Sequence, residues 1–531
     1  MRYELKSLRA VIPIALLSVL AWPVHALNIV HRAGTDDATT LDPHKVGYPG
    51  ETTIMSDLFV GLTALDARAK PIPGAAQSWT ISADGRIWTF QMRRGQRWSN
   101  GTPLTALDFE YSIRRALAPA TAFPYAGRLY MIRNARAVNA GQMPSTALGV
   151  RAPDPGTLVI ELDNPAPYLP EVLASFAMPV PRAVVEQRGD AWTRPQWLVN
   201  NGPFSLQEWR PNAYIRLKRN PQFYDAANVP ADEVMHYPVT AATTAMRRYA
   251  AGEIDFVLTF PPDQMQRARA EFGDQVKVDQ GLGVEMLAFN NRRGVTRDPR
   301  VRRALSLALD REALARNVLG DARLAAYSYV APGAANYPVP VKADFAGWPA
   351  ERRRDEARRL LQEAGFSATR PLKLRLSFPA NDINRRVAVV LDAMWRSVGV
   401  RAEMVAKEQR ALSADIASGD FDAVRTLWLA GHSDALGFLE RLDGSAAGTT
   451  MNQSGYSNAR YDALLVRAQA EPDIAKRAAV LRSAEALALA DQPVAPIFYF
   501  VGRRLVSPRL RGWEHNPRGI HVSRWMSVPS R

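Results

Sequence analysis

The side chains able to do bond-making chemistry are sparse and badly spaced for it. The chain has no cysteine, and its seven histidines lie at positions 25, 31, 44, 236, 432, 515 and 521. No two form a close metal-binding pair with the exception of His515 and His521, and no thiol is present to complete a metal set with them. No G-x-S-x-G elbow, P-loop or H-E-x-x-H string occurs, and Gly281 and Gly283 are not extended into G-x-G-x-x-G. Carboxylates are plentiful, so a glycosidase-type acid pair stays open as the enzymatic alternative, a secreted hydrolase. Recognition by a few placed charges accounts for the sequence better than turnover does. No catalytic residue, cofactor or metal is expected.

The 531 residues exceed one ordinary core and imply two or three domains. Hydrophobic residues at 47% and charged residues at 22% fit a globular chain and exclude a disordered one. The net charge of +15 is spread along the chain and comes mostly from Arg. No helix-turn-helix, zinc finger or aromatic RNA-binding motif accompanies it, so nucleic acid is not expected as a partner. The first residues read as an export signal: Arg2, Lys6 and Arg9, an apolar run over 10–22, then Val24-His25-Ala26. Cleavage after Ala26 removes three basic and one acidic residue and lowers the charge by two, to +13. With no cysteine to acylate, a lipid anchor is not expected, and a free periplasmic protein is.

The elements that must position any site are clearest over residues 73–117. Alternation over 78–81 and 87–92, with Asp84-Gly85 between them, predicts a β-hairpin. Thr105, with Asp108 three residues later, predicts a capped helix. Further strands are expected at 28–32, 156–162, 372–378, 400–406 and 495–501. Helices are expected over 51–62, from 298 to 311, and over 351–364 and 385–398. The order strand, helix, strand over 372–406 predicts a βαβ unit in a mixed sheet.

The run Trp79, Asp84-Gly85, Trp88-Thr89-Phe90, Trp98, Gly101-Thr102-Pro103, Asp108-Phe109, Tyr111-Ser112 resembles the signature of the family 5 extracellular solute-binding proteins, the peptide-binding components of ABC importers. Leu41-Asp42-Pro43-His44, "DLFVGL" at 57–62, Arg219-Asn220-Pro221 and Gly252-Glu253-Ile254-Asp255 resemble further family strings, in the family's order. The resemblance implies a two-lobed α/β periplasmic binding protein fold of the large type, with an extra domain and mixed β-sheets. Domain I would comprise 27–62, 185–285 and 495–531, domain II 63–184 and domain III 286–494. A monomer would bind its ligand between domains I and III, close through a hinge near 285 and 495, and deliver the ligand to permease subunits in the inner membrane.

The resemblance also implies a site. The oligopeptide binders carry an Asp, after a W-x-A string, that pairs with the ligand's amino terminus. The matching segment here is Arg425-Thr426-Leu427-Trp428-Leu429-Ala430-Gly431-His432-Ser433-Asp434, so Trp428 and Ala430 are kept and Gly431 replaces the Asp. Asp434 either takes over that role or is a solvated loop residue. Asn384 and Gln409 stand where the binders carry a His and a Trp, and Ile416 replaces an Arg. Arg425, a cleft residue or a strand-end surface residue, is kept, as is Tyr125. The expected ligand-binding set is therefore Tyr48, Tyr125, Asn384, Gln409, Arg425 and 427–432 (Leu427, Trp428, Leu429, Ala430, Gly431, His432), with Asp434. The ligand is a peptide or peptide-like solute; the alternative in the same fold is a glycan, a conjugate or a metal chelate.

Overall fold

The computed structural model describes residues 27–34, 36–47, 49–319, 324–449 and 451–529. The export signal read over 1–26 lies outside the described residues. One mixed sheet runs through most of the chain. Its strands, in spatial order, are Val400–Lys407, Leu372–Pro379, Ala423–Leu429, Val276–Phe289, Val494–Val506, Phe256–Val257, Ile29–Gly34, Glu233–Pro238, Tyr214–Arg219 and Phe204–Arg210, with Leu324–Ala325 paired to the side of Val494–Val506. Two long antiparallel strands, Val276–Phe289 and Val494–Val506, join the halves. Their register shifts between Gln280 and Val284, leaving Gly281-Leu282-Gly283 bulged out of the ladder. A bulge bends and twists the strand that carries it. Here it sits where the two halves of the sheet meet. The Leu282 carbonyl accepts from Ala430 N–H at 2.9 Å, and Leu282 N–H donates to Pro517 O at 2.8 Å.

The expected hairpin is present as Ala76–Ile81 and Ile87–Met92. Helix Ala106–Leu117 follows it, with Thr105 N–H donating to the Asp108 carboxylate at 2.8 Å. This helix buries Ala106, Phe109, Ile113, Ala116 and Leu117, a spacing of three to four, against Trp88, Phe90 and Met92 of the hairpin. Full burial of each large side chain contributes about 1.5–3 kcal/mol before entropy, so the segment makes a core of its own. The four-stranded sheet that includes Val150–Asp154 and Thr157–Glu161 completes it. Separate cores gather residues 30–64 with 178–256 and 506–528, and residues 282–499.

The βαβ reading holds. Leu372–Pro379 and Val400–Lys407 run parallel, with helix Asp382–Arg396 between them in sequence. Two elements differ from expectation. The helix expected over 51–62 is Pro49–Leu58 and stops early, because Asn201 takes over the backbone of Val60. Asn201 Oδ1 accepts from Val60 N–H at 3.0 Å, and its Nδ2 donates to Val60 O at 2.8 Å. The run beginning at Asp298 is two helices, Pro299–Leu307 and Arg311–Leu319. Asp310 accepts from Ala313 N–H at 2.9 Å and so starts the second.

Candidate functional site

Strand Ala423–Leu429 pairs along its whole length with Val276–Phe289, from Gly283–Leu429 to Phe289–Ala423. On its other edge only Ala423 and Val424 are paired, with Leu376 and Ser377. From Arg425 to Leu429 that edge meets no further strand among the described residues. Alternation sends Leu427 and Leu429 to one face, where both are exposed, and Trp428 to the other. The Trp428 indole N–H donates to Gly437 O at 2.7 Å, which fixes the ring, and the Arg441 guanidinium lies 3.8 Å from its centroid.

Trp428 forms one wall of a cavity of about 620 Å³. Tyr125, Arg128 and Tyr168 line it from the hairpin-bearing part of the chain; Trp428, His432 and Glu440 face them. The volume is that of a small-molecule binding pocket. Tyr168 and His432, one from each of these parts, stack with ring centroids 3.8 Å apart. Burial pushes the His432 imidazole down to about 3, so it is neutral at physiological pH. Burial also raises the Tyr168 phenol. The Tyr125 hydroxyl donates to Gly47 O at 3.1 Å, tying the cavity wall to the segment after His44. That segment is anchored in turn by Asp42, whose carboxylate accepts from Arg115 at 2.6 Å and from the Trp192 indole at 3.2 Å.

Gly431 lies beneath Arg128. A Cβ at 431 would overlap the Arg128 guanidinium, so only glycine leaves room for it. The Arg128 guanidinium lies 5.5 Å from the Trp428 ring centroid and 6.0 Å from that of Phe176. Arg518 reaches the same place from the C-terminal segment, donating to Gly431 O at 3.4 Å and Ser175 Oγ at 3.2 Å. The Glu171 carboxylate accepts from Ser433 N–H at 2.8 Å and from the Ser433 hydroxyl. Three distant parts of the chain thus converge on the 431–433 loop.

This arrangement has relatives. Residues 70–450 match the family described as bacterial extracellular solute-binding proteins, family 5 Middle. The chain belongs to this family. It is 33% identical to the periplasmic oligopeptide-binding protein OppA of Escherichia coli, over 91% of this chain and 89% of that one. It is equally 33% identical to the probable deoxycholate-binding periplasmic protein YgiS of the same organism, over 95% and 94%. The solved structure of the Escherichia coli murein tripeptide binding protein MppA superimposes with a TM-score of 0.81 at 33% identity, covering 95% of this chain and 99% of the other. The fold is therefore the two-lobed binding-protein type.

Within the family frame, the candidate residues separate into two groups. Tyr125, Trp428 and His432 line the cavity, Gly431 lies under Arg128 at its wall, and Leu427, Leu429 and Ala430 continue the same strand and loop. The others are elsewhere. Arg425 is not a surface residue: it is buried, pairs with Glu285 on the neighbouring strand, and donates to Asn384 Oδ1. Asn384 is buried beside it, its Nδ2 donating to Pro379 O at 3.0 Å. Gln409 is exposed at the start of helix Gln409–Ser418, and Ile416 is buried in that helix. Asp434 is not a solvated loop residue. It is 2% exposed and pairs with Arg477 at 2.5 Å, and its second oxygen accepts from Leu436 N–H at 2.9 Å. Tyr48 lies outside the described residues. Arg128, Tyr168, Glu440 and Arg518 were not foreseen. The one available signal was Gly431 itself, a missing side chain in a kept frame.

Among the described residues, no group of three or more His, Cys, Asp or Glu side chains is placed to hold a metal ion. No helix among them is long and apolar enough to cross a membrane.

Proposed function

We propose that this protein captures a peptide or peptide-like solute in the cavity and hands it to the permease subunits of an ABC importer, with no bond made or broken. The observation that carries the reading is the unpaired edge of 425–429 on the strand that brings Trp428 to the cavity wall. An extended ligand backbone can add to such an edge as a further strand, independent of its side chains. Relatives named for oligopeptides and murein peptides support the ligand class. A thermal-shift screen of short peptides tests it. Binding to the folded state alone raises Tm, whereas a rise with sugars and none with any peptide would overturn the reading.

A non-peptide solute in the same cavity is the second reading. It is favoured by the relative named for deoxycholate and by the basic, aromatic wall at Gly431. In either case, closure is proposed as a hinge motion between the two halves of the sheet, about the bulge at Gly281-Leu282-Gly283. The domain division given above, a monomeric state and a free periplasmic location after cleavage behind Ala26 belong to the same proposal. N-terminal sequencing of the exported protein should begin at Leu27; a start at Met1 would contradict the export.

A further inference from the structure

We infer that the cavity holds a carboxylate of its solute on Arg128, in the space above Gly431. The inference rests on the binding function proposed above and deepens it. Gly431 gives up its side-chain volume to a guanidinium rather than leaving it empty. No carboxylate among the described residues lies within the 4.0 Å of an ion pair with Arg128. The acid that acts on it from farther off is Glu440, whose own carboxyl is pushed up by burial. The remaining charged groups of the wall have neighbours of their own. Asp163 faces Arg86 and Arg133, and Arg136 lies over Tyr130.

Arg518 makes a second, independent case. It is almost wholly buried, its nearest acid is Glu171 at 3.7 Å, and its Nη1 is buried with no hydrogen-bond partner. Glu171 meanwhile is bonded to Ser433 through both oxygens. A guanidinium without an ion pair in a desolvated cavity wall, with a second guanidinium beside the same loop held by one acid at 3.7 Å, costs free energy until an anion arrives. A guanidinium offers a planar fork that matches a carboxylate with two parallel bonds. The Phe176 and Trp428 rings near Arg128 suit an apolar stem behind that carboxylate.

The test is titration calorimetry with three forms of trialanine amide, whose C-terminus carries no charge: free amine, N-acetyl and N-succinyl, the last alone carrying a carboxylate. The wild type should bind the succinyl form roughly tenfold or more tighter than the acetyl form. In Arg128→Gln that ratio should fall to about one, and Arg128→Lys, which keeps charge but not the fork, should retain part of it. Equal binding of succinyl and acetyl forms by the wild type, or an undiminished ratio in Arg128→Gln, would overturn the inference. If none of the three binds, trialanine is not a ligand, and the peptide reading is left to the thermal-shift screen. The inference is then decided by thermal shift with phenylacetate and phenylacetamide. An acid-selective rise in the wild type that Arg128→Gln loses supports it, and no selectivity refutes it.

Discussion

The Arg128 guanidinium fills the volume that a side chain at Gly431 would need. The sequence resemblance implies an acid for the ligand's ammonium at this position, and the structure places a cation, Arg128, beside it. The absent side chain at Gly431 makes room for that guanidinium.

Gly431→Asp tests that relationship. The overlapping atoms are the far end of a flexible side chain, so the variant should fold, with the guanidinium displaced and paired to the new carboxylate. Affinity for an acid-ended ligand should fall by about 1–3 kcal/mol, because Arg128 is then neutralised. Free-amine peptides should gain little from this single change. They should gain when Gly431→Asp is combined with Arg128→Ala, which removes the guanidinium that lies over position 431. Calorimetry of the single and double variants against one free peptide separates the two effects. A full gain in the single variant would show that Arg128 does not control this end of the cavity.

Asp434 and Arg477 form a buried pair at 2.5 Å, each side chain 3% exposed. Asp434→Ala leaves the Arg477 charge buried and alone, and should cost about 3–5 kcal/mol in stability. The Leu436 N–H loses its acceptor as well. Chemical unfolding should register the loss as a lower midpoint at unchanged slope. A variant as stable as the wild type, but unable to bind ligand, would instead place Asp434 in the site.

His432 gives the stability a pH dependence whose sign is fixed. Its neighbours are Tyr168, stacked on it, with Asp434, Arg128, Arg518 and Arg477 around it. Burial lowers the folded value to about 3 from 6.5. Between those values the unfolded chain binds the proton and the folded protein does not, so stability is full above pH 6.5 and is lost as pH falls below it. Each such histidine contributes a slope of about 1.4 kcal/mol per pH unit. His44 and His521, both lowered to about 4 by burial, act in the same direction. His432→Phe keeps a ring against Tyr168 and should remove one proton's worth of slope between pH 6 and 4.5, in urea unfolding followed across pH. An unchanged slope would mean that His432 is protonated in the fold.

Local chemistry made the frame legible. The hairpin at Asp84-Gly85, the Thr105–Asp108 cap and the parallel pair around helix Asp382–Arg396 each follow from turn residues, caps and periodicity within about forty residues. The site was half legible. Trp428, Gly431 and His432 lie on one continuous stretch and could be carried over together from the family pattern. What faces them could not. Arg128, Tyr168 and Arg518 come from separate parts of the chain, and nothing in their own neighbourhoods marks them as neighbours of Gly431. Arg425 and Asp434 were misjudged as candidates for solvent for the same reason. Their partners, Glu285 and Arg477, lie far away in sequence, and a long-range ion pair leaves no local spacing to read.

The central claim is that the cavity between Tyr125 and Trp428 carries a peptide-like solute with an acidic end. Mass spectrometry of the small molecule released by denaturing protein purified from its export compartment tests it most directly. The expected result is a compound with amide bonds and a carboxylate beyond the one that ends any peptide, absent from preparations of Arg128→Gln. A neutral sugar or a metal chelate in its place, retained equally by Arg128→Gln, would contradict it.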